Sequence, residues 1–205
     1  MLKKPWVIKM NIPESIKLDT IQKNIWHKSC PVHLDNLTLL KVKYLNFEYV
    51  EQIGEIMVFS LLADHVSKIF QSLYEIKFPI NKVSLINHYH GNDEASMADN
   101  NTSAFNCRLI KGTDRYSVHS YGMAIDINPL QNPYLYKDAD NRIHVYPEEG
   151  KSYLDRENLR QGMITKEVVE IFANKGFDIW GGNWTLPDFH HFEVSKGKRD
   201  RILML

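Results

Sequence analysis

Apolar positions recur along this chain at two different periods, and the change from one to the other marks out its elements. Leu62, Val66, Ile69, Phe70 and Leu73 return at intervals of three and four, which predicts a core-facing helix from about Leu61 to Tyr74, closed by Phe78 and Pro79. LTLLKVKYLNF, from Leu37 to Phe47, partly alternates and carries β-branched and aromatic residues, the pattern of a strand. GEIMVF, from Gly54, and KVSLINHY, from Lys82 to Tyr89, read as two more. Ser15 to Trp26 reads as a short amphipathic helix that ends at Ser29 to Pro31, and the polar run GNDEASMADNNTS reads as a long surface loop. In GMAIDIN, Met123, Ile125 and Ile127 alternate with Ala124, Asp126 and Asn128, so a half-buried strand turns the apolar set to the core and Asp126 to a cleft. Asn132 to Arg160, rich in Tyr, Asp, Asn and Glu, reads as an extended excursion. Thr165 then caps a helix through Val168, Val169, Ile171 and Phe172 with Gly176 as its stop, and FDIW is a last short strand before the WGGNW turn.

Strands and helices do not alternate regularly enough for a doubly wound parallel sheet. The expectation is an α+β fold, a single domain over residues 1–205 with a mainly antiparallel sheet and helices packed against it. A chain of 205 residues that is 43% hydrophobic can bury a substantial core. Its 25 basic and 25 acidic residues balance, so no bulk field recruits nucleic acid or an anionic membrane. Lys3, Lys4, Lys9 and Lys17 near the start, and Lys196, Lys198, Arg199 and Arg201 near the end, read as solvated tails. No apolar run approaches the length of a membrane span, and the first residues lack the apolar stretch of a secretory signal. Cys30 and Cys107 are too few for a disulfide scaffold and leave two alternatives, one disulfide or two buried thiols. The pattern says nothing of oligomeric state.

The chemistry concentrates in SVHSYGMAIDINP, residues 117–129, and in WGGNWTLPDFHHF near the end. A catalytic zinc site takes three ligands from imidazole and carboxylate and leaves the fourth position to water. His119 and Asp126 offer two, brought together if a turn through Gly122 leads into the strand that bears Asp126, and His190 or His191 offers the third. Metal binding lowers the pKa of water from 15.7 towards about 7, and a nearby carboxylate such as Asp188 can take the proton. His27, His33, His65 and His144 read as ordinary hydrogen-bonded histidines. His88 and His90 are given the same reading, since no carboxylate accompanies them at comparable spacing.

SVHSYGMAID resembles the Ser-x-His-x-x-Gly-x-Ala-x-Asp signature of the zinc peptidase family of D-alanyl-D-alanine carboxypeptidases and L-alanyl-D-glutamate endopeptidases. WGGNWTLPDFHHF is similar to the Trp-Gly-Gly-x-Trp and Asp-x-x-His-Phe segment of the endopeptidase branch, and NNTSAFNCR, Asn100 to Arg108, is similar to an upstream block of that branch. These motifs span about residues 100–193. The resemblance implies a Zn2+ site in a cleft, with His119, Asp126 and His191 as ligands and Asp188 as the catalytic carboxylate. It also implies that Arg108 and Ser117 hold a substrate carboxylate or carbonyl, a role that suits the planar fork of Arg. The implied substrate is the peptide stem of bacterial peptidoglycan, and the implied location the cell envelope or the exterior.

Asp188 stands where many relatives place Glu, with Glu193 as the reserve base. His190 is an alternative ligand or a substrate contact, although the Asp-x-x-His spacing favours His191. Trp180 and Trp184, beside Gly181 and Gly182, read equally well as groove or as packing. A non-catalytic wall-binding module that keeps the fold and metal is the competing reading. Retention of Asp188 beside three ligands speaks against it, because a structural zinc site fills its fourth position with protein.

Overall fold

The computed structural model describes residues 7–205, so Lys3 and Lys4 lie outside the described residues. It is the α+β arrangement expected. β1 (Val7–Met10), α1 (Glu14–Gln22), β2 (Leu37–Leu45) and β3 (Glu51–Phe59) come first, and the three strands form an antiparallel sheet in the order β1-β2-β3. β2 stops at Leu45, short of the expected Phe47, because Asn46 turns the chain: its Oδ1 accepts from the amides of Glu48 and Val50. The return strand therefore starts at Glu51, ahead of Gly54.

α2 (Ala63–Glu75) packs on this sheet with Val66, Ile69, Phe70 and Leu73 all buried, as the helical period required. Each contributes about 1.5–3 kcal/mol relative to exposure. The segment from Lys82 departs from expectation: only β4 (Lys82–Val83) is extended, and a 3-10 turn over Ile86–Tyr89 replaces the rest. Side chains supply the reason. The Ser84 amide donates to Asn101 Oδ1 and Asn101 Nδ2 returns to the Ser84 carbonyl, while Asn87 is drawn inward to Asp19 and Thr20.

The polar run expected to be loop instead contains α3 (Asp93–Ala98) and β5 (Asn101–Thr102), the latter parallel to β4. Asn92 Oδ1 caps the helix on the Ala95 amide, with Asp93 and Glu94 in the first turn. Beyond β6 (Ala124–Asp126), the excursion folds into an antiparallel hairpin of β7 (Tyr134–Lys137) and β8 (Ile143–Tyr146), then a 3-10 turn over Glu148–Tyr153. α4 (Lys166–Asn174) has its expected cap, Thr165 Oγ1 on the Val168 amide at 3.3 Å, and Gly176 stops it at φ +94°.

β9 (Ile179–Trp180) and β10 (His191–Glu193) complete a second antiparallel sheet in the order β6-β10-β9. The basic tail is not simply solvated: α5 (Lys196–Ile202) forms there, tied to Asp178 through Lys198, with Ile202 against the core. Met123, Ile125, Ile127 and Phe192 turn into that core, so the alternation read from GMAIDIN holds. Cys30 and Cys107 are joined as a disulfide, which decides between the two alternatives the sequence left.

Candidate metal centre and cleft

His119 sits in a 3-10 turn, Val118–Tyr121, whose first amides are capped by Ser117: its Oγ accepts from the His119 amide. Gly122 ends that turn at φ +66°, and a Cβ there would lie 2.7 Å from the Phe59 nitrogen, so only glycine fits. The chain then enters β6, where Asp126 lies directly across from His191 on β10. The antiparallel register thus brings together side chains far apart in sequence.

His119 Nε2, His191 Nδ1 and the Asp126 carboxylate converge at 3.0–3.1 Å, and all three residues are buried. Each ring spends its other nitrogen outward. His119 Nδ1 donates to the Ala104 carbonyl at 2.6 Å, and His191 Nε2 to Glu193 Oε2 at 3.0 Å. Two imidazole nitrogens and a carboxylate therefore face one point, as the donors to a single cation do, and without a cation the imidazole protons hold the cluster together. Donors about 2.0–2.1 Å from a common tetrahedral ion stand about 3.3 Å apart, close to the separations here. The donor set fits zinc, and the outward hydrogen bonds are the kind that fix a ligand's tautomer.

The electrostatics agree. Burial alone would raise the Asp126 carboxyl, but the fields of His119 and His190 and hydrogen bonds with His119 and His191 hold it well below its usual range. Burial pulls His191 down, yet hydrogen bonds with Asp126 and Glu193, with the fields of Asp126 and Asp188, push it up to about 10. The pocket favours positive charge at its centre.

Asp188 lines the same cleft, a space of about 390 Å3 that also contains Arg108, Ser117, Tyr134 and Trp184. Gly181 makes room for it: a Cβ there would lie 2.5 Å from the Asp188 carbonyl oxygen. Burial raises the Asp188 carboxyl above its ordinary value, against the pull of His190 and His191 and with the push of Asp126. Its Oδ1 lies 3.0 Å from His190 Nε2 but finds no aligned donor, and so is a buried acceptor without a hydrogen bond.

Residues 111–194 match the family model described as D-alanyl-D-alanine carboxypeptidase. No curated protein and no solved structure matches the chain.

The matched segment contains His119, Asp126, Asp188 and His191, whereas several residues near the site precede it. Ala104, whose carbonyl holds His119, is one. Arg108 is another: it reaches the cleft, but its guanidinium pairs with Asp93 Oδ2 at 2.6 Å while its Nε has no partner. Both readings of Arg108 are thus physically present, an ion pair and a cleft cation with a free donor. Ser117 is likewise both a turn hydroxyl and a cleft residue.

His190 is 2% exposed, donates from Nδ1 to the Asn132 carbonyl at 2.8 Å, and turns Nε2 to Asp188. It stands outside the converging triad. Glu193, the reserve base, is engaged with His191. Trp180 is packing, with Nε1 on the Phe189 carbonyl and its ring near Phe192, whereas Trp184 is 42% exposed and lines the cleft with its ring 5.3 Å from His191.

Sequence reasoning passed over Asn132, Tyr134, Ala104 and Asp93. Asn132 is a hub: its Nδ2 donates to the carbonyls of Ile127, Asn128 and Gly162, and its Oδ1 accepts from Ile164 and Arg156. Burial lowers the Arg156 guanidinium to about 10, an indication of how deeply that clamp is set. Tyr134 pairs with the Asp188 segment, and burial, with Tyr136 and Asp188 beside it, keeps its phenol protonated. Only Asp93 had a legible signal, the Asn-Asp-Glu start of a capped helix.

Proposed function

We propose that the chain is a zinc-dependent peptidase that hydrolyses an amide bond in the peptide stem of peptidoglycan, at the cell envelope or outside the cell. The observation that carries this reading is the convergence of His119 Nε2, His191 Nδ1 and Asp126 beside the unpartnered carboxylate oxygen of Asp188, inside the segment matched by the family model. His119, Asp126 and His191 would hold the ion. When bound, zinc supplies Lewis acidity, making water a better nucleophile at neutral pH and polarising a carbonyl oxygen.

The chain's own residues do the rest. Asp188 takes the proton of the attacking water and delivers it to the leaving amine, a task helped by a carboxyl whose pKa is already raised. His190, locked by Asn132, places its Nε2 3.0 Å from that carboxyl. Arg108, steadied by Asp93, presents its guanidinium charge to a substrate carboxylate, and Ser117 offers its hydroxyl to a carbonyl. Trp184 and Tyr134 wall the cleft. No covalent nucleophile is needed, and Ser117 has no base beside it.

Similarity of the Trp-Gly-Gly and Asp-x-x-His-Phe segment favours the L-alanyl-D-glutamate bond over the terminal D-alanyl-D-alanine bond. Mass spectrometry of defined muropeptides, incubated with zinc-loaded protein with and without a chelator, tests the whole reading. Separation of L-alanine from D-glutamate is expected. Release of terminal D-alanine would move the assignment to the carboxypeptidase, and an intact stem under zinc would overturn it.

A further inference from the structure

Away from the cleft, the described residues bring together a second set of metal-ligating atoms, His27 Nε2 and the sulfurs of Cys30 and Cys107, all within 4.8 Å of one another. We propose that this cluster is a thiol-gated metal site: once the Cys30–Cys107 disulfide is reduced, the two thiolates and His27 bind a thiophilic divalent ion such as zinc. It is independent of the peptidase reading.

The geometry is close to what such an ion imposes. His27 Nε2 lies 3.7 Å from Cys107 Sγ. Bonds of about 2.3 Å to sulfur and about 2.05 Å to nitrogen at a tetrahedral angle put those atoms about 3.6 Å apart. The two sulfurs, bonded at 2.09 Å, would need to open to about 3.8 Å, a change that side-chain rotation supplies.

One backbone contact joins the two segments besides the sulfur bond, and two more hydrogen bonds shape the loop that carries His27 and Cys30. The Cys107 amide donates to the Ile25 carbonyl at 3.3 Å, the Cys30 amide to the His27 carbonyl at 2.9 Å, and Trp26 Nε1 closes the loop on the Val32 carbonyl at 2.9 Å. Two details favour a ligand set over an inert crosslink with a histidine nearby. The His27 amide points at Cys30 Sγ at 3.2 Å, a donor that stabilises sulfur carrying negative charge. Ser29 Oγ lies 2.7 Å from His27 Nδ1 and can accept its proton, which leaves the Nε2 lone pair facing Cys107. His27 and Cys30 are half-buried and Cys107 is buried, so an ion can enter from the side of His27 with its fourth position open to water.

The chemistry balances with a dithiol as reductant. The protein disulfide accepts two electrons and two protons as the dithiol becomes a disulfide, and metal uptake then displaces both thiol protons into solvent. Soft thiolate donors set this site apart from the cleft, which has only nitrogen and oxygen.

The test uses the full chain, reduced with a dithiol under anaerobic conditions, desalted and titrated with Co2+ alone. A near-ultraviolet thiolate-to-cobalt charge-transfer absorption is expected in the reduced protein and not in the oxidised one. Cys30→Ser should abolish it, as should alkylation of the reduced wild-type thiols, and His27→Ala should weaken cobalt affinity at this site at least tenfold. The band should persist in His119→Ala, so a failure of the cleft reading is told apart from a failure of this one. A folded reduced protein without the band, equal affinity in His27→Ala, or loss of fold on reduction seen by circular dichroism would each overturn the proposal.

Discussion

Along β2 and β3, buried positions are almost all apolar: Leu39, Leu40, Val42 and Val58 are each 0% exposed, closed in over consecutive residues as in a sheet covered on both faces. In β6 and β10 burial is as deep, yet the chemistry alternates. Ile125 and Phe192 face the core, while their neighbours Asp126 and His191 are buried against each other on the cleft side. The first sheet carries cohesion, and the second uses the cohesion on one of its faces to keep charged groups out of water on the other. A register slip by one residue would exchange the two faces, so the packing of Ile125 and Phe192 is also what aligns Asp126 with His191.

The largest effects should come from breaking either side of that contrast. His119→Ala is expected to abolish zinc-dependent cleavage and lower zinc stoichiometry while the melting transition survives. Leu40→Ala, which leaves a cavity where the side chain is 0% exposed, should cost about 2–5 kcal/mol in denaturant unfolding. Zinc content of the folded fraction should not change. If Leu40→Ala removed metal as efficiently as His119→Ala, the division of labour between the sheets would be wrong.

Asp188→Asn comes next. It should reduce turnover of muropeptides by about 10²–10⁴ with zinc stoichiometry unchanged. Because the Asp188 carboxyl is buried with an oxygen lacking a donor, its removal should not lower the melting temperature of the metal-free protein. Full activity in the folded, zinc-loaded variant would sink the assignment of Asp188 as the base.

How legible these two regions were differs for the same physical reason. α2, β2 and the capped α4 were readable because each announces itself locally, by period or by a cap such as Thr165. The His119, Asp126 and His191 cluster was expected from a resemblance in motifs, and the alternation in GMAIDIN already turned Asp126 away from Ile125. The side-chain hydrogen bonds were not. Asn101 breaks the strand expected from Lys82 to Tyr89, and Asn46 shortens β2, by satisfying backbone groups that a ladder would otherwise satisfy. The Ala104 carbonyl that orients His119 belongs to a residue whose side chain carries no signal at all, so only the fold could reveal it. Arg108 was visible as a cation, but its partner Asp93 lay in what read as loop.

Smaller effects sharpen the comparison inside the second sheet. Glu193→Gln leaves the strand pairing of β10 intact but weakens the acceptor for His191 Nε2–H. The loss of such an outer contact should lower zinc affinity by about 10–100-fold, read by competition with a chelating dye. Unchanged affinity would mean that the register alone orients the ring.

The smallest effect should come from Thr165→Ala at the start of α4, a helix whose Phe172 stacks on Phe192 with ring centroids 3.8 Å apart. Removing the cap leaves the Val168 amide without its side-chain partner and should cost about 1 kcal/mol. In a chain of this size that corresponds to a fall of about 2–4 °C in melting temperature. The apolar face of β10 should absorb this loss without passing it to the cleft, because Phe192 is held by its strand neighbours Ile125 and Trp180 as well as by α4. Zinc affinity should therefore stay where it is in the wild type. A fall in affinity to match the fall in melting temperature would mean that the two faces of β10 are energetically one, and that the donors are held by α4 rather than by the sheet.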